Sequence, residues 1–250
     1  MSLRKRVLVL SVLWVFIVSG CAGSSSRVRQ HAGQTPPDTS FEEEKTVEIR
    51  DPLEPVNRAV FQFNDRLYFW GLKPAAQGYS AVAPKGVRTR VRNAFRNLST
   101  PVRAVNGLLQ ADLSATGIEV SRFLVNTTIG LGGLNDPARE WGLKRQRKDL
   151  GQTLGVYGMG PVIYIVLPVL GPSSVRGVLG RAGDSFLEPT SYYPTNIWAR
   201  GGVRTLETVN STSLRIGQYE EIKEQFAPYV ALRNAYYQNR AYVIEEHGGR

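Results

Sequence analysis

Apolar residues recur at helical spacing along most of the chain. The clearest stripe has successive spacings of 4, 3, 4 and 3 residues, which is typical of one face of an α-helix. Its members are Val56, Val60, Phe63, Leu67 and Trp70. Because glycine and proline interrupt helices, we predict that this helix ends at Gly71 and Pro74.

Comparable stripes predict further helices over 85–98, from about Pro101, and over 114–126, 173–182, 202–216 and 219–245. The glycine-rich segment 129–143 predicts a loop or a hairpin. The apolar run 161–170 is too short to span a bilayer as a helix, which leaves a buried core segment and a half-inserted wedge as alternatives. Since alternating strand patterns are scarce, we predict a mostly α, single-domain fold.

The N-terminus has the pattern of a secretory signal peptide. Basic residues 4–6 precede an apolar run over 7–18, which as a helix would be about 18 Å long and therefore too short to cross a bilayer. Small residues then lead to Cys21 and resemble the lipobox of bacterial lipoproteins. We interpret the chain as a signal peptide over 1–20, a flexible tether over 21–45 and a folded domain over 46–246.

The lipobox resemblance implies that Cys21 carries a covalent diacylglycerol and an N-acyl chain. Two or three acyl chains anchor a protein stably to a membrane. Lipoproteins that stay at the inner membrane are similar to one another in having Asp after the acylated cysteine, whereas this chain has Ala22. We therefore expect a lipid-anchored protein of the outer membrane, embedded from the periplasmic leaflet.

Positive charge is concentrated in two segments of a chain whose net charge is +10. The first segment contains Lys85, Arg88, Arg90, Arg92, Arg96 and Arg103, and the second contains Lys144, Arg145, Arg147 and Lys148. A secreted lipoprotein does not meet nucleic acid, so phospholipid or lipopolysaccharide phosphates are the natural anionic partners. For any single arginine, an ordinary solvated position is the alternative.

Motifs for catalysis are weak. The only two histidines, His31 and His247, lie near the ends of the chain, and Cys21 is the only cysteine. The glycines over 155–160 match neither the dinucleotide fingerprint nor a P-loop, and no H-E-x-x-H metal motif is present. We predict a protein that is not an enzyme and has no metal or cofactor other than its acyl chains.

The first helix carries more aromatic residues than one face can bury. They are Phe61, Phe63, Tyr68, Phe69 and Trp70, and Arg66 and Lys73 flank them. Such a composition suits a bilayer interface, where rings lie at headgroup depth and long basic side chains reach the water. A bulky soluble core with one exposed ring is the alternative.

Several motifs resemble, in order, those of the MlaA (VacJ) lipoproteins. The opening motif is Asp51-Pro52-Leu53-Glu54, Asn57-Arg58 and Phe61-Gln62-Phe63-Asn64. Later matches are Asn97-Leu98 with Pro101, Asn106 to Gln110, Arg122-Phe123 with Asn126, Gly130 to Gly133 with Asp136, Gly151 to Gly155, Tyr157-Gly158, Gly160-Pro161, Leu167-Pro168, Gly171-Pro172, Arg176, and Tyr229 to Tyr237. The resemblance covers about residues 50–242.

The resemblance implies a ring of amphipathic helices that lie in the membrane plane around a central polar channel. Family members remove mislocalised phospholipids from the outer leaflet through this channel and so maintain lipid asymmetry. The implied partners are phospholipids, a trimeric porin and a soluble periplasmic carrier of the same pathway. Two alternatives remain open, namely a structural lipoprotein that braces porins and a periplasmic hydrolase.

The same resemblance suggests roles for individual residues. Asn57, Arg58, Phe63 and Asn64 are candidates for ring closure or a channel mouth, with helix packing and capping as the alternative. Asp149 and Arg176 are candidate channel-lining residues. The residues of a candidate flexible loop are Gly130, Gly132, Gly133 and Asp136. This chain departs from the family pattern at Ala111, Leu150 and Gly177, and the last departure puts a carboxylate role near Arg176 in doubt.

Overall fold

The computed structural model describes residues 51–248 and is mostly α-helical, as predicted. The helices are α1 (Glu54–Leu67), α2 (Lys73–Val82), α3 (Lys85–Leu98), α4 (Thr100–Leu109), α5 (Leu113–Thr128), α6 (Pro137–Glu140), α7 (Leu150–Val156), α8 (Val175–Asp184), α9 (Ile197–Ser213), α10 (Gln218–Lys223) and α11 (Pro228–Gly248). A π-helical turn spans Tyr68–Leu72, a 3₁₀ turn spans Pro189–Ser191, and the strands are β1 (Tyr164–Leu167) and β2 (Gly171–Ser174). The predicted signal peptide, the whole of the predicted tether and residues 46–50 of the predicted domain lie outside the described residues.

The first helix does not end at Gly71 and Pro74, so that prediction is wrong. The π-helical turn joins α1 directly to α2, and the Lys73 N–H donates to the Tyr68 carbonyl five residues earlier. This wider turn places Pro74 in the first turn of α2. A proline is tolerated there because its missing N–H removes no regular helical hydrogen bond.

The other predicted helices are present with shifted ends. The helix over 85–98 coincides with α3, and the predicted helix over 219–245 is divided at residues 224–227 into α10 and α11. Pro228 opens α11, which is the position where proline suits a helix. The segment 129–143 is a loop that contains the single-turn helix α6 and no hairpin. The short helix α7 was not predicted.

A small hairpin fills most of the apolar run 161–170. Strands β1 and β2 pair antiparallel, with Tyr164 opposite Ser174 and Leu167 opposite Gly171. Tyr164 and Val166 are buried, whereas Val162, Val169 and Leu170 are exposed. The buried side chains of β1 agree with the prediction of a core segment, and the half-inserted wedge remains a prediction for the exposed apolar residues of the turn.

The helices bury polar side chains and expose apolar ones. Of the apolar stripe on α1, Val56, Phe63, Leu67 and Trp70 are exposed, while the neighbouring Asn57 is buried. Among the side chains that the structure describes, 17 polar or charged residues are buried against 9 apolar ones. Water-soluble domains normally show the reverse distribution. The apolar stripes therefore mark the outer surface of this protein.

The apolar core is correspondingly small. Phe61, Tyr164, Val166 and Tyr229 form it, where α1, the hairpin and α11 meet, and the rings pack edge-on or tilted with centroids 5.8–6.3 Å apart. Edge-to-face aromatic pairs at such distances are favourable beyond the area they bury. Within residues 51–248, no helix is both long and apolar enough to cross a membrane.

Candidate functional site

Four polar cavities with shared walls run through the described domain. The loop cavity, of about 650 Å³, lies between α3 and residues 134–140. The arginine cavity, of about 280 Å³, is lined by Thr89, Arg92, Asn93, Arg96, Arg122, Asp136, Arg139, Lys144 and Arg145. A third, very small cavity of about 10 Å³ is called the neck. It is lined by Asn93, Arg96, Asn97, Thr100, Arg103, Arg122, Asn126, Asp136 and Arg145. The C-terminal cavity, of about 590 Å³, lies between residues 145–152 and α11.

Shared lining residues show that the four cavities adjoin one another. Asp136 lines the loop cavity, the arginine cavity and the neck. Arg145 lines the arginine cavity, the neck and the C-terminal cavity. A space of about 10–15 Å³ holds one water molecule. The space that these residues enclose is therefore narrowest at the neck, which has about the volume of one water molecule.

Polar stripes at helical spacing build the walls. Thr89, Asn93, Arg96 and Thr100 lie three or four residues apart on α3 and at the start of α4. Glu119, Arg122 and Asn126 lie at the same spacing on α5, and all three are buried. Residues three or four apart share one helix face, so these helices direct a polar face inward and an apolar face outward.

An ion-pair network crosses the neck. The Arg122 guanidinium donates to both Asp136 carboxylate oxygens at 2.9 Å, and the Asn126 amide donates to the same carboxylate at 2.9 Å. Asp136 also caps α6 by accepting from the Arg139 N–H at 3.2 Å. Burial alone would raise the pKa of Asp136, but these hydrogen bonds, led by Arg122, outweigh burial and lower the pKa.

A second buried carboxylate orders the wall between the neck and the C-terminal cavity. Glu119 is 0% exposed, and its two oxygens accept from Arg103 Nε and from the Gln146 N–H, both at 2.6 Å. Such short charge-assisted bonds are stronger than neutral ones. Burial lowers the pKa of nearby Arg145 to about 10, and repulsion from Arg96, Arg103 and Arg147 adds to this effect. Arg145 thus remains charged at neutral pH.

Comparison with known proteins connects this architecture to a family. The model of the MlaA lipoprotein family matches residues 49–243. This chain belongs to the MlaA lipoprotein family. An uncharacterised protein of Rickettsia felis is 36% identical over 201 residues, which is 80% of each chain.

Two further matches have informative names. The intermembrane phospholipid transport system lipoprotein MlaA of Escherichia coli K12 is 31% identical over 199 residues, which is 77% of this chain and 78% of that protein. A structure solved in work on the maintenance of bacterial outer membrane lipid asymmetry matches with a TM-score of 0.70 and 30% identity, over 78% of this chain and all of the other. The MlaA fold of this chain is therefore established by sequence and by structure.

In this MlaA family member, Asn57 and Asn64 hold the hairpin against α1. The Asn57 amide donates to the Tyr164 carbonyl at 3.0 Å and accepts from the Val166 N–H at 2.8 Å. Asn64, two turns later, donates to the Leu167 carbonyl at 2.9 Å and accepts from the Val169 N–H at 2.7 Å. These contacts match the packing alternative for both asparagines, and neither residue lines any of the four cavities.

Arg58 and Phe63 point away from the cavities. Arg58 pairs with Glu54 at 2.7 Å, and its guanidinium lies 4.5 Å from the centre of the Tyr229 ring. Phe63 is exposed on the apolar face of α1. The structure thus places the opening motif at the junction of α1, the hairpin and α11.

Of the two candidate channel-lining residues, Asp149 lines the C-terminal cavity and Arg176 lines none of the four cavities. Asp149 caps α7 by accepting from the Gln152 N–H at 2.8 Å, pairs with Arg240 at 2.7 Å and lines the cavity. Arg176 is buried and donates to the Met159 carbonyl at 2.7 Å. Burial lowers the pKa of Arg176, and Tyr236 opposes this effect.

The glycine loop is bent tightly beside the neck. Gly132 and Gly133 have φ values of 72° and 88°, which glycine adopts readily. A Cβ on Gly133 would lie 2.4 Å from the Asn97 Cβ, so the backbone passes directly over a neck residue. Gly130 has no room for a Cβ either, because it would meet the Asn126 carbonyl oxygen at 2.4 Å. Of this group, Asp136 lines the cavities.

Sequence reasoning missed Arg122, Asn126 and Asn97 as cavity-lining residues, and Glu119 as the buried carboxylate that holds Arg103 and Gln146. The sequence does contain a polar stripe at helical spacing on α5. That stripe indicates an inward-facing wall only when the apolar stripes are assigned to the outer surface of the protein. No group of three or more His, Cys, Asp or Glu side chains among the described residues could hold a metal ion. Cys21, the predicted acylation site, lies outside the described residues.

We expect Asn57→Ala to lower the free energy of unfolding by about 2–3 kcal/mol. The substitution removes hydrogen bonds to two strand backbone groups and leaves both buried without a partner, and each unsatisfied group costs about 1–3 kcal/mol. Thermal unfolding of the full-length protein in detergent would measure the loss. Gln62→Ala on the exposed side of α1 is the matched control. Equal stability of the two variants would contradict the clamp role of Asn57.

Proposed function

We propose that this protein is an outer-membrane lipoprotein that removes mislocalised phospholipids from the outer leaflet and passes them to a soluble periplasmic carrier. The observation that carries the proposal is the inverted burial pattern, with connected polar cavities inside and apolar side chains outside. The named relative in Escherichia coli, an intermembrane phospholipid transport system lipoprotein, supports the same function. The process moves lipid from the outer membrane inward and thereby maintains lipid asymmetry.

A polar path solves the energetic problem of moving a phospholipid between leaflets. Polar groups cost several kcal/mol when they enter hydrocarbon without hydrogen-bond partners, and charged groups cost far more. Asparagine, threonine and arginine side chains of the cavities supply partners for a headgroup. The acyl chains remain in the surrounding lipid, so the protein has only to shield the headgroup.

The outer surface of the domain suits a position within one leaflet. Trp70 and Trp198 are 86% and 85% exposed, and Phe226 is fully exposed. Aromatic rings of this kind settle at the bilayer interface, whereas free exposure to water would make them a site of aggregation. We propose that the amphipathic helices lie in the membrane plane as a ring, with their apolar stripes towards lipid and the cavities at the centre.

The anchor and the partners complete the proposal. A diacylglycerol and an N-acyl chain on Cys21 hold the domain at the periplasmic side of the outer membrane. A trimeric porin would hold the ring in position, and the carrier would receive lipid at the periplasmic face. Transport of this kind breaks no covalent bond, so we propose a role without catalysis.

The decisive test uses cells that lack the gene for this protein. Intact cells are exposed to an external phospholipase, and the phospholipid that the enzyme reaches in the outer leaflet is quantified. We expect an excess in the deleted cells that disappears with wild-type protein and with Ser24→Ala, a matched control close to the anchor. Cys21→Ala should leave the excess in place, because the domain is then not anchored.

The two alternatives give different results in the same experiment. A bracing lipoprotein would weaken the envelope of the deleted cells without any excess of outer-leaflet phospholipid. A hydrolase would release fatty acid from phospholipid vesicles when the purified protein is added. Either result would contradict the transport proposal.

A further inference from the structure

The arginine cavity contains a large excess of positive charge. Its walls carry six cationic side chains and one carboxylate, Asp136, for a local charge of +6 − 1 = +5. The cations are Arg92, Arg96, Arg122, Arg139, Lys144 and Arg145. Four of them, Arg92, Arg96, Lys144 and Arg145, come from the two basic segments of the sequence, which the fold brings together across about 50 residues of chain.

The single carboxylate of the cavity, that of Asp136, already has a cationic partner. Asp136 receives both hydrogen bonds of Arg122, so this pair is neutral as a unit. Among the described residues, Arg92, Arg96 and Arg145 have no carboxylate partner. The Nε of Arg92 is moreover buried without any hydrogen-bond partner. The Nε atoms of Arg200 and Arg233 share this feature elsewhere in the described domain. Buried guanidinium N–H groups normally have an acceptor, and an anion in the arginine cavity would supply one to Arg92.

The arginines of this cavity repel one another, and this repulsion destabilises the protein when no anion is bound among them. Burial lowers the pKa of Arg96, and repulsion from Arg92 and Arg215 adds to this effect. The pKa of Arg145 falls to about 10 for the same two reasons. Half-buried like charges destabilise the empty protein, whereas an anion among them would turn the repulsion into attraction.

Size and chemistry select the anion. Guanidinium groups bind phosphate through paired N–H bonds, and arginine predominates where that geometry matters. A volume of about 280 Å³ is just below the roughly 300–1,000 Å³ of pockets that enclose a drug-sized ligand. The cavity therefore fits a headgroup without its acyl chains. It lies between the loop cavity and the neck, on the path proposed for transport.

We propose that Arg92, Arg96 and Arg145 form a phosphate-binding site for phospholipid headgroups immediately before the neck, an inference that rests on the proposed transport function. A lipid with a net negative headgroup keeps its full charge in this site. A zwitterionic lipid brings an ammonium group among the arginines. Anionic phospholipids consequently bind more tightly than zwitterionic ones.

The test measures binding to the full-length protein in non-ionic detergent by isothermal titration calorimetry. The probes are dihexanoyl phosphatidylglycerol, dihexanoyl phosphatidylcholine, uncharged dihexanoylglycerol and inorganic phosphate. We expect phosphatidylglycerol to bind most tightly and dihexanoylglycerol to show no binding. Each of Arg92→Gln, Arg96→Gln and Arg145→Gln should weaken phosphatidylglycerol binding by about tenfold, which corresponds to about 1.4 kcal/mol. Arg66→Gln, an equal charge change on the exposed side of α1, should leave binding unchanged.

Thermal unfolding separates a binding role from a structural role. Removal of mutually repelling charges should leave the ligand-free Arg145→Gln protein as stable as the wild type or more stable. A structural arginine would instead lower the unfolding temperature. Phosphatidylglycerol should raise the unfolding temperature of the wild type but not of a variant with all three substitutions. Arg145→Lys, which keeps the charge, should restore most of the binding.

Several results would overturn the inference. One is that the triple variant binds phosphatidylglycerol as tightly as the wild type does. Another is that the wild type binds dihexanoylglycerol as tightly as phosphatidylglycerol, and a third is that the wild type binds no phospholipid. Inorganic phosphate that binds as tightly as phosphatidylglycerol would assign the site to free phosphate and reject the headgroup. The binding assay needs no cells, so failure here is distinct from failure of the outer-leaflet assay, which tests the proposed function itself.

Discussion

Asp136→Ala is expected to lower the free energy of unfolding by about 3–5 kcal/mol. The substitution leaves Arg122 as a buried charge without its carboxylate, and breaking a buried ion pair by removal of one partner typically costs that amount. It also removes the acceptor of Asn126 and the cap of α6. Two contacts that hold the Asp136 loop against α5 and the cap of α6 are lost together.

Thermal unfolding in detergent measures this effect directly. For a chain of this size, about 1 kcal/mol corresponds to a shift of roughly 2–4 °C, so a decrease of about 10 °C is expected. Glu140→Ala is the matched control, because it removes a carboxylate from the same helix at an exposed position. If both variants unfold at the same temperature, the Arg122–Asp136 pair does not stabilise the loop.

The pH dependence of a second variant at this position, Asp136→Asn, gives an independent check. The folded-state pKa of Asp136 lies below its ordinary value of 3.8, because the hydrogen bonds from Arg122 and Asn126 outweigh burial. A carboxyl group with a lowered pKa stabilises the fold above its unfolded pKa and loses that contribution as the pH falls through the folded pKa. The difference in unfolding temperature between wild type and Asp136→Asn should therefore be constant near neutral pH and should shrink as the pH falls below 3.8.

Helical periodicity was sufficient to predict most of the helices but not which side of each faces inward. The stripe through Val56 and Trp70 has the same spacing whether it packs on a core or lies in lipid. In a soluble domain Asn57 would have been placed outside, yet it is 1% exposed. The decisive fact is the solvent around the protein, which the spacing of residues does not encode.

The arginine cavity shows a different limit. Arg96 and Arg145 belong to separate basic segments, and only the packing of α3 against residues 136–145 makes them neighbours. The second segment also divides in the structure. Lys148 turns away from the arginine cavity, is buried, and pairs with Asp112 at 3.1 Å and with Gln110 at 2.8 Å. Clustering in sequence therefore did not identify which cations share a site.

The hairpin contacts illustrate what motif resemblance can and cannot supply. The resemblance made Asn57 and Asn64 candidates for ring closure or a channel mouth, with helix packing as the alternative, and the sequence signal is the same for both roles. The distinction requires the positions of the Tyr164 and Leu167 carbonyls, which lie over 100 residues away along the chain. Polar residues that repeat every seven positions on a helix can serve either role.

Glu119→Ala is the second substitution for which we expect a loss of about 3–5 kcal/mol. The change removes the only carboxylate that Arg103 contacts, so that its guanidinium keeps only the Arg96 carbonyl and the Thr100 hydroxyl as acceptors, and it leaves the Gln146 N–H without its acceptor. Glu119→Gln should cost less, because an amide oxygen can still accept one of the two bonds. Glu221→Ala, which removes an exposed carboxylate from α10, is the control for the change in net charge.

A double-mutant cycle decides whether the loss of stability in Glu119→Ala comes from the unpaired charge of Arg103 or from the missing Glu119 side chain. Arg103→Met removes the cation while keeping its apolar stem, so the combination with Glu119→Ala leaves no unpaired charge behind. If the charge accounts for most of the cost, the double variant is more stable than the sum of the two single losses predicts, by about 1–3 kcal/mol. Strict additivity would mean that Glu119 acts mainly by filling space and by its bond to Gln146. The cycle thus measures how strongly the carboxylate holds the wall of the neck, the place where this conformation is narrowest and where the passage of a headgroup would require the wall to move.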